Sequence, residues 1–205
     1  MENVTYNINN SDDLHKIIEG CKVGDRKMQK ALFESTYGQS FVIAMRYSKD
    51  DSTAKDIINE AYLKVFSKIG MFEINGSIQG WVNRIVINTA IDSIRRNKKI
   101  IFVDTKEISN SYIGDEENTL IGGIESSDVS PDDVIDIIQN LSPAYRTVFN
   151  MYVFDEMTHK QIAEALGITE STSKSNLFKA RASIKNKILT LSNENEDRQK
   201  RVKEL

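Results

Sequence analysis

The chain has 205 residues, of which 40% are hydrophobic and 28% charged, and its formal net charge is −3 at pH 7. That length suffices for one or two small domains, each with a core of its own. Only 2 prolines and 10 glycines occur, which favours long helices over a turn-rich β fold. No run of 18 apolar residues is present, and Met1–Asn10 lacks the basic-then-apolar pattern of a signal peptide. We therefore expect a cytoplasmic protein without direct membrane insertion.

Few residues of this chain suit metal, disulfide or catalytic chemistry. The single cysteine, Cys21, excludes an intrachain disulfide and a cysteine zinc site, so a buried thiol is expected. His15 and His159 lie far apart in the sequence and have no carboxylates placed as fellow ligands. No nucleophile–base pair and no phosphate-binding glycine loop occurs. The sequence thus predicts no metal, no cofactor, no small-molecule substrate, no catalytic residue and no enzyme activity.

Three segments with helical apolar spacing follow one another in the N-terminal half. The first spans Asp25 to about Tyr47, and the second runs from 54 to 69 with Ser52 or Thr53 as its cap. The expected core of the first is Ala31, Leu32, Phe33, Tyr37, Phe41, Val42 and Met45. The second has an apolar face made of Ala54, Ile58, Ala61, Tyr62, Val65 and Ile69.

The third segment, from about 78 to 97, is apolar around most of its circumference, which predicts burial. Its polar residues form a narrow stripe at helical spacing, made of Arg84, Asn88, Asp92 and Arg95. A loop over 70–80 precedes it and contains Phe72, Asn75 and Gly76.

Residues 104–131 change character, because they are acidic, rich in Ser, Gly and Asn, and without apolar periodicity. This composition is typical of a flexible linker. Ten acids lie between Asp104 and Asp136, against Lys106 alone, whereas the basic residues gather in 22–30, 84–99 and 174–187. Binding to phosphate depends on the local field within a Debye length of about 8 Å, so an acidic total charge does not exclude nucleic acid as a partner.

A helix-turn-helix is predicted after the linker. Val134, Ile137, Ile138 and Leu141 resume a helical period, and Ser142-Pro143 opens a further helix. Thr158 and Gln161 form a capping-box pattern, Gly167 suits a tight turn, and Thr169 can cap the helix that follows.

The two faces of that last helix differ in chemistry. The inward side carries Ser173, Leu177, Ala180, Ile184 and Ile188. From 171 to 187 there are five cations and no acid, the cations being Lys174, Lys179, Arg181, Lys185 and Lys187. A lysine-rich surface helix is the simpler interpretation, but such helices usually intersperse acids for i,i+4 pairing. The pattern therefore favours a helix that enters the major groove of DNA.

Four segments together resemble the extracytoplasmic-function group of the sigma-70 family of bacterial RNA polymerase sigma factors. They are DIINEAYLKVF (56–66), FEINGSIQGWVNRIVINTAIDSIRR (72–96), LSPAYRTVFNMYVF (141–154) and the helix-turn-helix (157–188). The resemblance implies an all-α protein with two small helical domains on a flexible acidic linker, the second containing the helix-turn-helix. The implied divisions are an N-terminal arm (1–22), sigma region 2 (23–99), the linker (100–131), sigma region 4 (132–190) and a charged tail (191–205).

The resemblance also implies partners and site residues. Core RNA polymerase would be contacted at the clamp helices of its largest subunit and at its flap region, and promoter DNA and an anti-sigma factor are the other partners. The implied polymerase-binding residues are Asp56, Asn59, Glu60, Leu63 and Lys64. Those for reading and melting the −10 element are Phe72, Asn75, Gly76, Ser77, Arg84, Asn88 and Arg95. Those for the −35 element are Ser171, Thr172, Lys174, Ser175, Phe178 and Lys179.

Each of these roles has a plainer alternative. The face around Leu63 can be merely solvated, Phe72 and Trp81 can be core, and Asn88 can satisfy a buried neighbour. The linker can act as an RNA mimic in the basic cleft of the polymerase or as a simple spacer. Ser173 and Asn176 stand where the family usually has an aliphatic residue and an arginine, which affects the −35 readout.

Two other classes of protein compete with the sigma factor. A stand-alone helix-turn-helix regulator would need a ligand pocket or a dimer interface in its N-terminal half. The third helix, buried apart from a polar stripe and preceded by a loop with Phe, Asn and Gly, is a poor match for either. An enzyme fused to a DNA-binding module finds no support in the residues.

Overall fold

A computed structural model of the chain describes residues 6–74, 76–96 and 130–203, and at 131, 132, 134 and 194–203 it describes the backbone alone. The described residues form eight α-helices and no β-strand, which confirms the predicted all-α fold class. The chain divides into two compact units, 1–97 and 98–205. Nearly all of the predicted linker, residues 100–129, lies outside the described residues.

The first unit contains four helices. They are α1 (Ser11–Lys22), α2 (Arg26–Tyr47), α3 (Asp51–Lys68) and α4 (Ile78–Arg96), with a 3₁₀ turn at Ile69–Met71 after α3. Helices α2, α3 and α4 pack against one another, and α1 lies on α2 and on the 3₁₀ turn. The core of this unit therefore sits between α2, α3 and α4, and α1 closes it.

Helix α1 occupies the range that was predicted to be an N-terminal arm. Asn10 Oδ1 caps it by accepting from the backbone N–H groups of Asp12 and Asp13 at 3.0 and 3.1 Å. Its apolar side is fully enclosed, since Ile17 and Ile18 have no exposed surface. Burying two isoleucines contributes on the order of 3–6 kcal/mol before the cost of ordering the chain, so α1 is an integral part of the unit.

Two further details of the first unit differ from expectation. Asp50 caps α3, because its Oδ1 accepts a hydrogen bond from the backbone N–H of Thr53 at 2.8 Å. The predicted cap at Ser52 or Thr53 is therefore wrong. Val42, predicted to be core, is 56% exposed, whereas its neighbours Ile43 and Ala44 are buried. Successive side chains of a helix point about 100° apart, and the core lies on the side of Ile43 and Ala44, so Val42 points away from it.

The second unit also contains four helices. They are α5 (Pro131–Gln139), α6 (Pro143–Phe149), α7 (His159–Leu166) and α8 (Glu170–Lys203), with a π-helical turn at Asn150–Phe154 after α6. Helices α5, α6 and α7 all pack on α8. Helix α8 is 34 residues long and continues through the charged segment from 191 to Lys203.

The starts of these helices follow the sequence signals. Ser130 and Asp133 form a capping box before α5, and Ser142 caps α6 with Pro143 in its first turn. None of the helices in the described parts of the chain is both long and apolar enough to cross a membrane. The same residues contain no group of three or more His, Cys, Asp or Glu side chains that could hold a metal ion.

Candidate nucleic-acid and protein interfaces

The helix-turn-helix of the second unit forms as its sequence predicts. Thr158 and Gln161 make the capping box of α7, and Gly167 ends that helix with a positive φ of 68°. Thr169 Oγ1 then accepts from the backbone N–H of Thr172 at 3.0 Å and caps α8. His159 Nδ1 and Ser173 Oγ lie 2.9 Å apart and join the two helices by a hydrogen bond.

The inward side of α8 is the predicted one. Ser173, Leu177, Ala180, Ile184 and Ile188 are all buried. The hydroxyl of Ser173, where the family usually has an aliphatic residue, is accommodated by the hydrogen bond to His159.

The six residues expected to contact the −35 element divide by exposure. Ser171, Lys174 and Phe178 are exposed, and Lys179 is half-buried. Thr172 and Ser175 are buried, at 4% and 3%, and so cannot meet DNA in this conformation. Thr172 Oγ1 pairs with Thr169 Oγ1 at 2.8 Å within the cap. The buried arc of α8 is wider than one stripe because three helices pack on it.

Cations cover the exposed side of α8. Lys174 and Lys185 are exposed, and Lys179, Arg181 and Lys187 are half-buried. The Arg181 guanidinium lies 5.5 Å from the centroid of the Tyr152 ring, which in turn stacks on His159 at 4.7 Å. The arrangement offers a positive surface of helical width, as phosphate and major-groove binding require.

In the first unit, the loop before α4 and the start of α4 enclose an open cavity of about 630 Å³. Its lining residues are Met71, Phe72, Glu73, Gly76, Ser77, Gly80, Trp81 and Arg84. Phe72 is buried and its ring packs at 5.6 Å from the half-buried Trp81. Phe72 is therefore a largely buried wall of the cavity, which agrees with the core alternative while leaving part of the ring beside the open space. Gly76 and Ser77 are exposed at the rim, and Asn75 lies outside the described residues.

The polar stripe of α4 continues from this cavity along the helix. Arg84, Asn88 and Arg95 are exposed, so Asn88 does not serve a buried neighbour. Asp92 is half-buried and its Oδ2 accepts from Lys64 Nζ of α3 at 3.4 Å. The sequence did not identify Met71 or Trp81 as lining residues, since apolar residues beside a loop give the same signal as core.

The outward face of α3 contains the residues expected to bind polymerase, in two different states. Asp56, Asn59 and Leu63 are exposed, and 73% of the Leu63 side chain is open to solvent. Glu60 and Lys64 are half-buried and engaged with α4. Two donors of Arg96 bind the Glu60 carboxylate at 2.6 and 3.2 Å, and Lys64 Nζ lies 3.0 Å from Glu60 Oε1.

These contacts stabilise the ionised form of Glu60. The hydrogen bonds from Arg96 and then from Lys64 lower the pKa of its carboxyl from 4.5 to about 2. Sequence reasoning missed this engagement because residues 60 and 96 are brought together only by the packing of α3 on α4.

Comparison with known proteins identifies both units. Residues 32–100 match the family model for sigma-70 region 2, and residues 132–184 match that for sigma-70 region 4. Together the two matches cover more than half of the chain, in the order in which sigma factors carry these regions. The cavity and the α4 stripe thus lie in region 2, and the helix-turn-helix lies in region 4.

Curated relatives match over most of their length. The ECF RNA polymerase sigma factor SigW of Bacillus subtilis is 25% identical over 188 residues, which cover 87% of this chain and 98% of that protein. The RNA polymerase sigma factor SigV of the same organism is 27% identical over 138 residues, 67% and 77% of the two chains. The ECF RNA polymerase sigma-E factor of Haemophilus influenzae is 26% identical, with coverages of 85% and 95%.

One solved structure that matches is that of the sigma factor RpoE in complex with the anti-sigma factor NepR from Bartonella quintana. The TM-score is 0.42 and the sequence identity is 14%, and the match covers 88% of this chain and 96% of the chain in that structure.

The fold and the two matched regions define a two-part helical protein of transcription initiation. The chain belongs to the sigma-70 family of RNA polymerase sigma factors, in the extracytoplasmic-function group. Proteins of this class are regulatory subunits of RNA polymerase that recognise promoters and have no catalytic activity of their own.

Proposed function

We propose that this chain binds core RNA polymerase, recognises the −10 and −35 elements of a promoter, and assists the opening of DNA for transcription initiation. It catalyses no reaction itself and acts in the cytoplasm, where the polymerase transcribes. The observation that carries the proposal is the cavity beside the α4 stripe in a chain that has a separate helix-turn-helix. A duplex reader needs only the second feature, whereas a protein that opens DNA needs both.

Polymerase binding is assigned to a docking face on α3 made of Asp56, Asn59 and Leu63, all exposed. A carboxylate beside an exposed leucine suits a basic, partly apolar helical partner. The clamp helices of the largest polymerase subunit are such a partner in the sigma family. Glu60 and Lys64 border this face, but their charged groups are held by α4.

Reading and melting of the −10 element is assigned to the cavity and the α4 stripe. Extruding a base costs a few kcal/mol of stacking, which contacts in a protein pocket must offset. The cavity has aromatic walls in Phe72 and Trp81, and Arg84 stands at its edge. Asn88 and Arg95 extend the exposed polar line from there, where they can contact the backbone or a base. Gly76 and Ser77 at the rim belong to this assignment, as does Asn75, which lies outside the described residues.

The −35 element is assigned to the exposed side of α8. The residues assigned to DNA contact on this side are Ser171, Lys174, Phe178 and Lys179. Thr172 and Ser175 are buried, so we assign them to stabilising the first turns of α8. Lysine lacks the bidentate fork of arginine, so this helix recognises DNA more through phosphate contacts and DNA shape than through bidentate hydrogen bonds to guanine. An exposed phenylalanine suits apolar contact with a thymine methyl group.

The remaining partners follow from the family alone. They are the flap region of the polymerase and an anti-sigma factor that holds the protein inactive. The acidic segment over 100–131 is expected to tether the two units, either passively or as an occupant of the basic cleft of the polymerase.

Run-off transcription on genomic DNA, with mapping of the start sites, tests the proposal. Core polymerase with the purified chain should initiate at a defined set of sites that core polymerase alone does not use. Absence of specific starts, together with tight occupancy of operator DNA by the chain alone, would identify a stand-alone regulator instead.

A further inference from the structure

Four charged side chains join α3 to the C-terminal end of α4. Glu60 and Lys64 lie one turn apart on α3, and Asp92 and Arg96 lie one turn apart on α4. Arg96 Nη2 and Nη1 donate to the two carboxylate oxygens of Glu60, and Lys64 Nζ contacts both Glu60 and Asp92. We call these four residues the α3–α4 charge network.

Glu60 has little capacity left for an external partner. A carboxylate offers about four acceptor positions, and three donors already occupy Glu60: two from Arg96 and one from Lys64. The Arg96 fork is bidentate, the strongest geometry available to such a pair. A basic group of the polymerase would have to displace a partner whose effective concentration within one domain is of millimolar order or higher.

The place of the network in α4 gives it a role in DNA binding. Arg96 is the last residue of α4 that the structure describes, and the preceding residue is Arg95 of the exposed stripe. Asp92, Arg95 and Arg96 share one turn of α4, so contacts that hold Asp92 and Arg96 also hold the turn that carries Arg95. Glu60 and Lys64 fix that turn from α3 at both Arg96 and Asp92.

We propose that Glu60 is a positioning residue for DNA opening, which acts through Arg96 to keep the turn of α4 that carries Arg95 in line with Asn88 and Arg84. Glu60 is then an internal anchor, and polymerase docking rests on Asp56, Asn59 and Leu63. This inference rests on the proposed function, because it assigns a task within promoter opening.

A charge exchange in the holoenzyme tests the inference. The test variants are Glu60→Arg, Arg96→Glu and the two combined. The matched control on the docking face is Asp56→Arg, made alone and together with Arg96→Glu. Two quantities are measured for each: affinity for core polymerase, and permanganate reactivity of unpaired thymines at a promoter found by start-site mapping. Circular dichroism reports whether each variant is folded.

Separate results are expected for the two acids. Glu60→Arg should bind core polymerase within about threefold of the original chain, yet open DNA about tenfold less, and the exchanged pair should recover opening to within about threefold. Asp56→Arg should lose polymerase affinity, and Arg96→Glu should not restore it.

Other outcomes overturn the inference. If Glu60→Arg loses polymerase affinity as Asp56→Arg does, and the exchanged pair does not regain it, Glu60 is a polymerase contact. The inference is also wrong if Glu60→Arg opens promoter DNA as well as the original chain does, or if the exchanged pair does not recover promoter opening. Should the charge-reversed chains not fold, the near-isosteric Glu60→Gln decides, since normal opening by that variant excludes a positioning role. Failure of the original chain to bind core polymerase would instead refute the proposed function, and with it this role.

Discussion

Lys174 is the exposed cation nearest the start of α8, in the part of a recognition helix that reaches base edges. Replacement by alanine removes one phosphate or guanine contact. We expect Lys174→Ala to weaken −35 binding by about 1–3 kcal/mol, with the slope of log K against log salt reduced by roughly one. Fluorescence anisotropy of holoenzyme on promoter DNA over a salt series measures both.

Lys16 provides the control for this substitution, because it is an exposed lysine on α1 of the other unit. Lys16→Ala removes the same charge from the chain without touching α8. Equal slopes for the two variants would mean that Lys174 does not contact DNA.

Cys21 is buried at the end of α1, and its burial, together with the nearby Asp25, raises the pKa of the thiol from 9.0 to about 11. The thiolate is the reactive form, so the native thiol should react with Ellman's reagent at pH 8 far more slowly than the urea-unfolded thiol. The folded state retains the proton more strongly, so this group adds stability below pH 9 that is lost as the pH rises towards 11. Labelling at the same rate in both states would show that α1 is not packed as described.

At the scale of the element, the contact of α1 with α2 depends on Gly20. A Cβ atom there would overlap Met28 Cγ and would lie 2.8 Å from Met28 Cβ, closer than packed atoms allow. We expect Gly20→Ala to lower the free energy of unfolding by about 1–3 kcal/mol through overpacking. Urea unfolding followed by circular dichroism gives the value.

Gly38 is the matched glycine in the interior of α2, where an added Cβ meets no atom within 4 Å. Gly38→Ala should stabilise the protein by up to about 1 kcal/mol, because alanine loses less backbone entropy in a helix. The two substitutions should therefore have opposite signs. A gain of stability from Gly20→Ala would mean that α1 can move away from α2 without loss.

The α3–α4 charge network makes the first unit sensitive to acid. The Glu60 carboxyl has its pKa lowered to about 2, so the unfolded chain binds more protons than the folded chain between about pH 4.5 and 2. The contribution of Glu60 to stability is full above pH 4.5 and is lost as the pH falls through 2. Since about a third of the side chain is exposed, we expect about 0.5–1 kcal/mol rather than the full value of the shift.

Thermal unfolding of Glu60→Gln against the original chain measures that contribution. The difference in stability should be greatest at pH 5–7 and should shrink steadily below pH 4.5. A difference that stays constant down to pH 2 would assign the stabilisation to packing rather than to charge.

The sequence predicts elements where the signal is local and fails where it depends on neighbours. The Thr158–Gln161 capping box and the Ser142-Pro143 start specify their helices because the cap residues and the first turn lie within four positions. Ser175 was wrongly expected on the outer face, since a single helical stripe takes no account of three helices packed on α8. The bond between Glu60 and Arg96 could not be read from sequence, because 36 positions separate two charges that each suit a solvated surface.

At the scale of the whole molecule, each unit has a core of its own. Ile17, Ile18 and Val82 are fully buried in the first, and Met151 and Ile162 in the second. The two regions would bind separate elements of one promoter, so the segment between them converts the second binding event into an intramolecular one. Each unit alone should then fold but bind promoter DNA weakly, even with core polymerase present.

Separate expression of residues 1–97 and 130–205 tests this arrangement. Each piece should unfold in one cooperative transition, and the first should still bind core polymerase through Asp56, Asn59 and Leu63. An equimolar mixture of the pieces should initiate transcription about 10²–10⁴-fold less well than the intact chain, because only the covalent link supplies the effective concentration. A protease site placed in the 100–129 segment provides the control, since cleavage of an assembled chain breaks the covalent link between the two units. Equal initiation by the mixture and the intact chain would mean that the polymerase holds each unit independently, and that the segment joining them contributes nothing to promoter binding.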